Sequence, residues 1–423
     1  MNRTEYPQLD ETLYREKLEN GLTVLVLPRK GFTKNLAYFV TDYGSIHSHF
    51  RLDGQEYRVP AGVAHYLEHK LFDMPDGTSA DGEFARLGAV TNAFTSYDMT
   101  AYYFSCTEHF EECLDLLLKF VSTPYFTQES VDKERGIIDQ EIGMCADTPD
   151  NVVFENLVGS LYKTHPIRVP ILGTGETIRE ITPEILYTCH RAFYAPGNML
   201  LCVIGDVDPD QVVAQARAAL PQEPQSVGEK ENAWDEPMTG GETVTQAMEV
   251  AMPMFNLAFK CEPLDKGDDA IRQEMVADLA AEALFGESSG LYLRLYEQGL
   301  IDSSFGGGFE TIDGCAMLLC SGDSDDPQAV KAALLEEAAR LSREGVPEED
   351  FLRLRRSALG RRIRALDSFD STCFRLCAYH FSDFDYFRFP EIYAGITKED
   401  IREFLARVVK EERSALSVIT PLT

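Results

Sequence analysis

The sequence lacks a long apolar run. No stretch of about 18 consecutive apolar residues occurs among its 423 residues, so no segment is predicted to span a membrane. The first residues, Met1–Pro7, also lack the apolar core of a secretory signal. We therefore expect a soluble, cytoplasmic protein without a membrane partner.

Basic residues are scarce beside acidic ones. The chain has 39 Lys and Arg against 70 Asp and Glu, which gives a formal net charge of −31. A surface of this charge repels phosphate backbones and anionic lipids, and this argues against nucleic acid as a partner. Two interpretations of the charge stay open: it keeps the protein soluble, or it favours neutral or basic peptides as ligands.

Cysteine pairs with metal-binding or redox spacing are absent. None of the ten cysteines forms a Cys-x-x-Cys pair, so neither a cysteine zinc site nor a dithiol redox motif is indicated. Several lie inside apolar runs, such as Cys202 within Leu200–Ile204. We expect them to be reduced cysteines of the core.

The apolar content is sufficient for more than one hydrophobic core. Apolar residues make up 44% of the chain, and its 423 residues exceed one ordinary domain. A stretch rich in proline, glycine and charge, without apolar periodicity, lies near the middle. It predicts one domain over residues 1–222, a linker over residues 223–241 and a second domain over residues 242–423.

The two halves look like distant copies of each other. Residues 127–162 and 347–381 both read as a long helix, a break and a second helix, and a shift of 220 residues places Asp147 on Asp367. Residues 181–207 and 396–421 both read as a helix followed by an apolar strand. The pattern predicts an α+β fold of two homologous domains, each a mostly antiparallel sheet packed by helices.

Local patterns place the first-half elements. Strands are predicted where β-branched and aromatic residues form short apolar runs, and helices where Pro60 precedes, and Gly88 ends, a periodic segment. The predicted strands are residues 21–28, 36–40 and 100–105, and the predicted helices are residues 62–72, 80–87 and 129–146.

The motif His65-Tyr66-Leu67-Glu68-His69 is the most specific signal in the chain. Residues three and four apart share one face of a helix, so His65 and His69 can present two imidazoles to one metal ion. Glu68 lies beside them, where it can take a proton from a water at the metal. The order is the inverse of the common two-histidine zinc-peptidase motif. Such a pattern can also arise by chance on an ordinary helix.

A catalytic zinc site needs a third protein ligand and an open position. The helix predicted at 129–146 carries Glu134, Ile138 and Glu141 at i, i+4 and i+7, one stripe two turns long. Because isoleucines interrupt its acids, part of this helix is expected to be buried, and carboxylates facing a core need a cation. The alternative is a solvated acidic face, which an acidic chain can also produce.

Together these residues resemble the insulinase-like (pitrilysin, M16) metallopeptidases. Glu141 lies 72 residues after His69, and Glu134 lies seven residues before Glu141, as in that family. The resemblance also rests on the segments Gly88–Tyr102, His165-Pro166, Ile171–Gly173 and Tyr194–Met199. It covers most of the first half strongly and the second half loosely. It implies a chain that forms half of a clamshell.

The resemblance also implies a ligand set. His65, His69 and Glu141 would bind one Zn²⁺ per chain, and Glu68 would be the general base that passes its proton to the leaving amine. Glu134 would not bind the metal itself but would orient one of the ligands. The residue types alone leave zinc and manganese open.

A substrate-binding strand follows from the same resemblance. Asn92 and Ala93 would lie on an edge strand and hold the main chain of a peptide, which would be bound as an added strand with limited sequence preference. Taken alone, Asn92 could equally be a turn or strand-end asparagine.

The second half departs from the family pattern. Family members carry an Arg and a Tyr that help stabilise the developing oxyanion, and here Tyr296 and Asp302 stand at those positions. Arg294 is two residues away and would point to another face of a helix. The 220-residue shift also puts Leu354 and Arg361 opposite Glu134 and Glu141. The second half is therefore predicted to be non-catalytic.

Three functions remain in competition. The first is a zinc endopeptidase subunit for peptides or small unfolded polypeptides, paired as a homo- or heterodimer with a paralogue that supplies the Arg and Tyr. The second is a catalytically weak or inactive structural or binding subunit of such a dimer. The third is a metal-stabilised binding module without turnover.

Overall fold

A computed structural model describes residues 1–231, 241–264 and 266–422. The strands are β1 (Asn2–Tyr6), β2 (Glu11–Lys17), β3 (Thr23–Pro28), β4 (Asn35–Thr41), β5 (His49–Leu52), β6 (Gln55–Arg58), β7 (Val90–Thr95), β8 (Thr100–Cys106), β9 (Met199–Gly205), β10 (Glu229–Lys230), β11 (Glu242–Met248), β12 (Met254–Cys261), β13 (Gly306–Ile312), β14 (Cys315–Asp323) and β15 (Ser414–Pro421).

The helices are α1 (Val63–Leu71), α2 (Ala80–Arg86), α3 (Phe110–Ser122), α4 (Gln128–Ala146), α5 (Pro149–Leu161), α6 (Pro183–Phe193), α7 (Pro209–Ala219), α8 (Asp268–Phe285), α9 (Gly290–Glu297), α10 (Pro327–Glu344), α11 (Glu348–Ala365), α12 (Phe369–Phe381), α13 (Phe389–Gly395) and α14 (Lys398–Val408). Within the described ranges, none of these helices has the combined length and apolar character that crossing a bilayer requires. The strands and helices predicted in the first half are all present, with ends that differ by one or two residues.

The chain divides into two compact units. The first unit contains residues 1–142, 170–231 and 364–387, and the second contains the described residues of 143–169, 241–363 and 388–422. Each unit therefore includes a segment from the other half of the sequence. The predicted domains, 1–222 and 242–423, stay a prediction. Of the predicted linker at 223–241, Glu229–Lys230 forms β10, which pairs with β5, while residues 232–240 lie outside the described residues.

The first unit is built on a seven-stranded sheet with the order β1-β2-β3-β9-β4-β8-β7. Only β3 and β9 run parallel in it, and the other neighbours are antiparallel. Every residue of Met199–Gly205 in β9 is buried, because this central strand has neighbours on both sides and cover on both faces. β7 lies at the edge, with β8 as its one partner strand in the sheet.

The second unit repeats this plan with five strands in the order β11-β15-β12-β14-β13. Its parallel pair is β11 and β15, and its other pairs are antiparallel, so its order matches β3-β9-β4-β8-β7 strand for strand. The matching order confirms the α+β fold class and the duplication.

Two helices are exchanged between the halves of the sequence. α12, from the second half, packs on the sheet of the first unit, where Cys373 Sγ lies 3.5 Å from Cys202 Sγ in β9 and the ring of Phe374 lies 5.9 Å from that of Phe94 in β7. α5, from the first half, packs on the sheet of the second unit, where its Val153 joins Ile419 of β15 in one buried cluster. Each sheet is thus covered on one face by a helix from the other half.

The cysteines are reduced, as predicted. All ten occur as thiols rather than in disulfide bonds, and nine of them are buried, while Cys145 is partly exposed. They act as small apolar residues of the two cores.

Candidate metal centre

Helix α1 carries the candidate motif and is fixed at both its start and its middle. It begins after Gly62, whose φ of +92° and the 2.4 Å between an added Cβ and the Leu172 carbonyl oxygen leave room for glycine alone. The intervening Tyr66 and Leu67 are fully buried, and the Tyr66 hydroxyl donates a hydrogen bond to the Val131 carbonyl of α4. The motif therefore stands on a helix that has little freedom to rotate.

Helix α4 presents the second set of side chains. Val131 and Ile138 are fully buried, as the interpretation of a partly buried helix required. Arg135 on the same helix donates to the carbonyl oxygens of Ile178 and Ile181 at 3.3 and 3.2 Å. These contacts fix the rotation of α4 and turn its acidic stripe towards α1.

Three side chains from the two helices converge on one point. Atoms of His65, His69 and Glu141 that can ligate a metal all lie within 4.8 Å of one another. The Nε2 atoms of His65 and His69 are 3.7 and 3.6 Å from the two carboxylate oxygens of Glu141. These distances are too long for hydrogen bonds. Ligand atoms at 2.0–2.1 Å from a tetrahedral zinc ion would be about 3.4 Å apart, which is close to these two distances.

Burial prepares His65 for a metal. Its imidazole is 7% exposed. Burial, and then the neighbouring His69, lower its pKa to about 3, so it is neutral at physiological pH. Its buried Nδ1 has no hydrogen-bond partner among the described residues. A neutral imidazole is the form that binds metal.

Glu134 holds the His69 imidazole through its Nδ1 atom. The Nδ1–H of His69 donates to Glu134 Oε1 at 3.0 Å, which leaves Nε2 directed at Glu141. Burial lowers the pKa of His69, but the hydrogen bond to Glu134 and the charges of Glu68 and Glu141 outweigh it and raise the pKa above its ordinary value. The hydrogen bond from His69 holds the pKa of Glu134 below its ordinary value.

A buried lysine completes this arrangement. Lys70 is 1% exposed, lies 3.8 Å from Glu134 Oε2 and is paired with Asp73. A buried ammonium group needs carboxylate partners, and these two supply them. The sequence interpretation did not include Lys70, because a lysine after the motif carries no local sign of burial.

Glu68 lies on the same helix face, and its side chain is only 8% exposed. Burial raises its pKa, while the Thr95 hydroxyl, which donates to its Oε2 at 2.5 Å, acts in the opposite direction. A carboxylate with a raised pKa accepts protons more readily. Thr95 was also absent from the sequence interpretation, since it lies 27 residues from Glu68.

Asn92 and Ala93 lie in β7, the edge strand, as predicted for a strand that could accept a peptide. The Asn92 side chain accepts from the backbone N–H of Ala93 at 2.9 Å. Neither residue belongs to the cluster of metal-ligating atoms. Their binding role stays a prediction.

The second-half positions contain no Arg–Tyr pair. Tyr296 is 53% exposed and its ring stacks on that of Tyr292. The Asp302 carboxylate accepts from the backbone N–H and the hydroxyl of Ser304 at 2.7 and 2.6 Å. Arg294 lies 3.7 Å from Glu337, so it is engaged in an ion pair on its own unit.

A duplicated α+β fold with two histidines and a glutamate gathered from two helices is the architecture of a metallopeptidase family. The family models agree: insulinase (peptidase family M16) matches residues 54–175, and the peptidase M16 inactive domain matches residues 180–358. An uncharacterized zinc protease of Bacillus subtilis (strain 168), YmfH, is 37% identical over 99% of this chain and 98% of its own length. The chain belongs to the insulinase-like M16 family.

Solved structures give the same result for the fold. The crystal structure of an M16-like peptidase from Alicyclobacillus acidocaldarius is 31% identical, covers 97% of this chain and 99% of that one, and superposes with a TM-score of 0.93. Pitrilysin superposes with a TM-score of 0.80 at 17% identity, over 99% of this chain and 46% of its own, which shows the fold alone.

Proposed function

We propose that this chain is the zinc-binding subunit of a metalloendopeptidase, with one Zn²⁺ held by His65, His69 and Glu141. The observation that carries the proposal is the convergence of these three side chains within 4.8 Å from two separately anchored helices. The name of the B. subtilis relative, a zinc protease, supports the choice of zinc over manganese. Nitrogen-rich donor sets also suit zinc better than manganese.

Each remaining group then has a task. The ion supplies Lewis acidity, which polarises a peptide carbonyl and makes water nucleophilic at neutral pH. Glu68 takes the proton of the attacking water and delivers it to the leaving amine, a role for which its raised pKa is suited. Glu134 holds His69 through Nδ1 so that Nε2 stays directed at the metal position.

The substrate is proposed to be a peptide or a small unfolded polypeptide. The free edge of β7 offers main-chain hydrogen-bonding groups to an extended chain, and Asn92 and Ala93 lie in the middle of that strand. Thr95, at the end of the same strand, contacts Glu68. The net charge of −31 favours neutral or basic peptides over acidic ones.

Full activity is proposed to need a second chain, in a homo- or heterodimer with a paralogue that supplies an Arg and a Tyr. The support is the absence of that pair at Tyr296 and Asp302 in this chain. A cytoplasmic location is part of the proposal, because ten cysteines that occur as thiols rather than in disulfide bonds suit a reducing compartment.

An inactive structural or binding subunit is the second candidate. The match of residues 180–358 to the M16 inactive domain favours it, as do Tyr296 and Asp302. The complete set of three candidate metal ligands in the first unit argues against it, since a scaffold does not need three converging ligands and a buried base. A binding module stabilised by metal would show zinc without hydrolysis.

The deciding experiment measures metal content and peptide hydrolysis in the purified chain, alone and with its paralogue. We expect one zinc per chain, and we expect Glu68→Gln to keep the zinc and lower kcat by about 10²–10⁴-fold, because only the proton acceptor is lost. Glu83→Gln on α2, where the carboxylate pairs with Arg86 of the same helix, is the matched control and should leave both unchanged. Hydrolysis that persists in Glu68→Gln would remove the proposed mechanism, and a chain without zinc would favour the inactive subunit.

A further inference from the structure

We propose that Thr95 is a positioning residue for Glu68, an inference that rests on the proposed peptidase function. Its hydroxyl lies 2.5 Å from Glu68 Oε2 and donates a hydrogen bond to it. A hydrogen bond to a charged acceptor is among the stronger ones in proteins, and here it is made inside a site where Glu68 is 8% exposed. The contact therefore selects one position of the carboxylate.

The proton of Thr95 is committed to Glu68. The neighbouring hydroxyl of Thr100 donates to the Tyr43 carbonyl at 2.9 Å, and its single proton is used there. The Thr100 and Thr95 hydroxyl oxygens are 3.5 Å apart, a distance at which little attraction remains. Among the described residues, Glu68 is thus the one strong acceptor recorded for the Thr95 hydroxyl.

This contact also gives the two carboxylate oxygens of Glu68 different roles. Oε2 is occupied by the Thr95 hydroxyl, so Oε1 is the oxygen left to receive the proton of the attacking water. A glutamate has three rotatable side-chain bonds, and a general base must be held in hydrogen-bonding reach of the proton that it takes. Without Thr95, the carboxylate would sample orientations in which neither oxygen is placed for transfer.

The position of Thr95 links the base to the edge strand. Thr95 is the last residue of β7, the strand along which a peptide is proposed to bind, while Glu68 is on α1. Thr91 lies on the same face of β7 four residues earlier, and its hydroxyl donates to the Tyr103 carbonyl at 2.9 Å instead. Thr91 is therefore a control of the same residue type, strand and face without contact to Glu68.

The test compares Thr95→Val, Thr95→Ser and Thr91→Val in the full chain, with its paralogue where activity needs it. Valine keeps the shape of threonine and removes the donor, and serine keeps the donor. We expect Thr95→Val to lower kcat by about 10–100-fold with KM changed by less than about threefold, as loss of a hydrogen bond to a charged group implies. Thr95→Ser should retain kcat within about threefold. Thr91→Val reports any effect of removing a hydroxyl from the same strand, and Thr95→Val is expected to lower kcat by at least about tenfold more than Thr91→Val does.

Zinc affinity, measured by competition with a chromophoric chelator, separates positioning from structural damage. We expect it to stay within about twofold in all three variants, because the hydrogen bonds of Thr95 are made to Glu68 and Thr100 and not to a proposed ligand. Should Thr95→Val not fold, Thr95→Ala makes the same comparison. The inference is overturned if Thr95→Val equals Thr91→Val, if serine fails to rescue, or if zinc is lost in step with activity. A wild type that binds zinc yet cleaves nothing in any pairing would instead remove the proposed function, and this inference with it.

Discussion

The two units have sheets of matching strand order and matching helices, but they differ in the side chains that those helices carry. α4 and α11 start 220 residues apart in the chain, and α5 and α12 match with the same shift at both ends. At the positions of Glu134 and Glu141 the second copy has Leu354, which is 4% exposed, and Arg361, which pairs with Glu282 at 2.5 Å. Because α11 forms with an apolar residue and a surface ion pair there, the fold itself does not require the two glutamates.

Helices α1 and α8, which come after the corresponding strands β4 and β12, show the same contrast. In the first unit α1 is the first helix after β4, and it carries two histidines and a glutamate, of which His65 and Glu68 are buried. In the second unit α8 follows β12 and buries apolar side chains such as Met275, Leu279 and Leu284. A buried helix is normally apolar, because an unpaired buried polar group is costly. The second unit forms the matching helix without such a polar face, so the fold that the two units have in common does not require it.

The largest effect is expected where the contrast is sharpest, at Glu141. Glu141→Gln removes the negative ligand, and we expect zinc affinity to fall by on the order of 10³-fold. The counterpart Arg361→Gln in the second unit should leave zinc affinity unchanged. Competition with a chromophoric chelator measures both variants. Equal affinities for Glu141→Gln and the wild type would show that the metal is held elsewhere.

A smaller effect is expected at Glu134, which contacts a histidine and not the metal position. Glu134→Gln keeps a hydrogen-bond acceptor but removes the charge, so we expect zinc affinity to fall by about 10–100-fold. The same titration measures it, and Leu354→Met at the matching position of the second unit is the control. A loss as large as that of Glu141→Gln would make Glu134 a ligand itself.

The smallest effect is expected from pH. His69 has a pKa raised above its ordinary value of 6.5, and the proton competes with zinc for this side chain. Zinc affinity should therefore be constant at high pH and fall about tenfold per unit once the pH drops below that raised pKa. His65, with a pKa lowered to about 3, adds nothing between pH 5 and 8.

A matched variant tests the cause of this pH dependence. Glu134 is the first group that raises the pKa of His69, so Glu134→Gln should move the onset of the zinc loss to lower pH. An onset that stays in place in Glu134→Gln would assign the dependence to another group.

Local patterns were sufficient for the elements predicted in the first half and for the shared helix face of each residue pair, while the choice of Glu141 as the third ligand rested on the family resemblance. The i, i+4 spacing of His65 and His69 and the i, i+7 spacing of Glu134 and Glu141 fix the relative positions of side chains on a helix. The duplicated pattern predicted matching sheets. The catalytic roles of these residues are still predictions that the experiments above decide.

Contacts set by the tertiary fold were not predictable in this way. Thr95 and Lys70 have no local signal, because their partners come from other elements and depend on how strands and helices meet. The exchange of α5 and α12 could not be recognised from the sequence either. The apolar faces of these helices, which carry Val153 and Cys373, have the same pattern whichever sheet they cover. Periodicity specifies that a face is buried, and the partner is chosen by the packing of the whole chain.

The exchanged helices have a consequence for the history of the chain. A half-length polypeptide that ended near the predicted linker would lack a cover for one face of its sheet, while its own α5 or α12 would have no sheet to lie on. Two such polypeptides could cover both sheets by exchanging this helix, as in a domain-swapped dimer. Joining two copies in one gene would turn that exchange of helices between molecules into an exchange within one chain. Expressed as separate fragments, the two halves should therefore be insoluble alone and recover their fold when produced together.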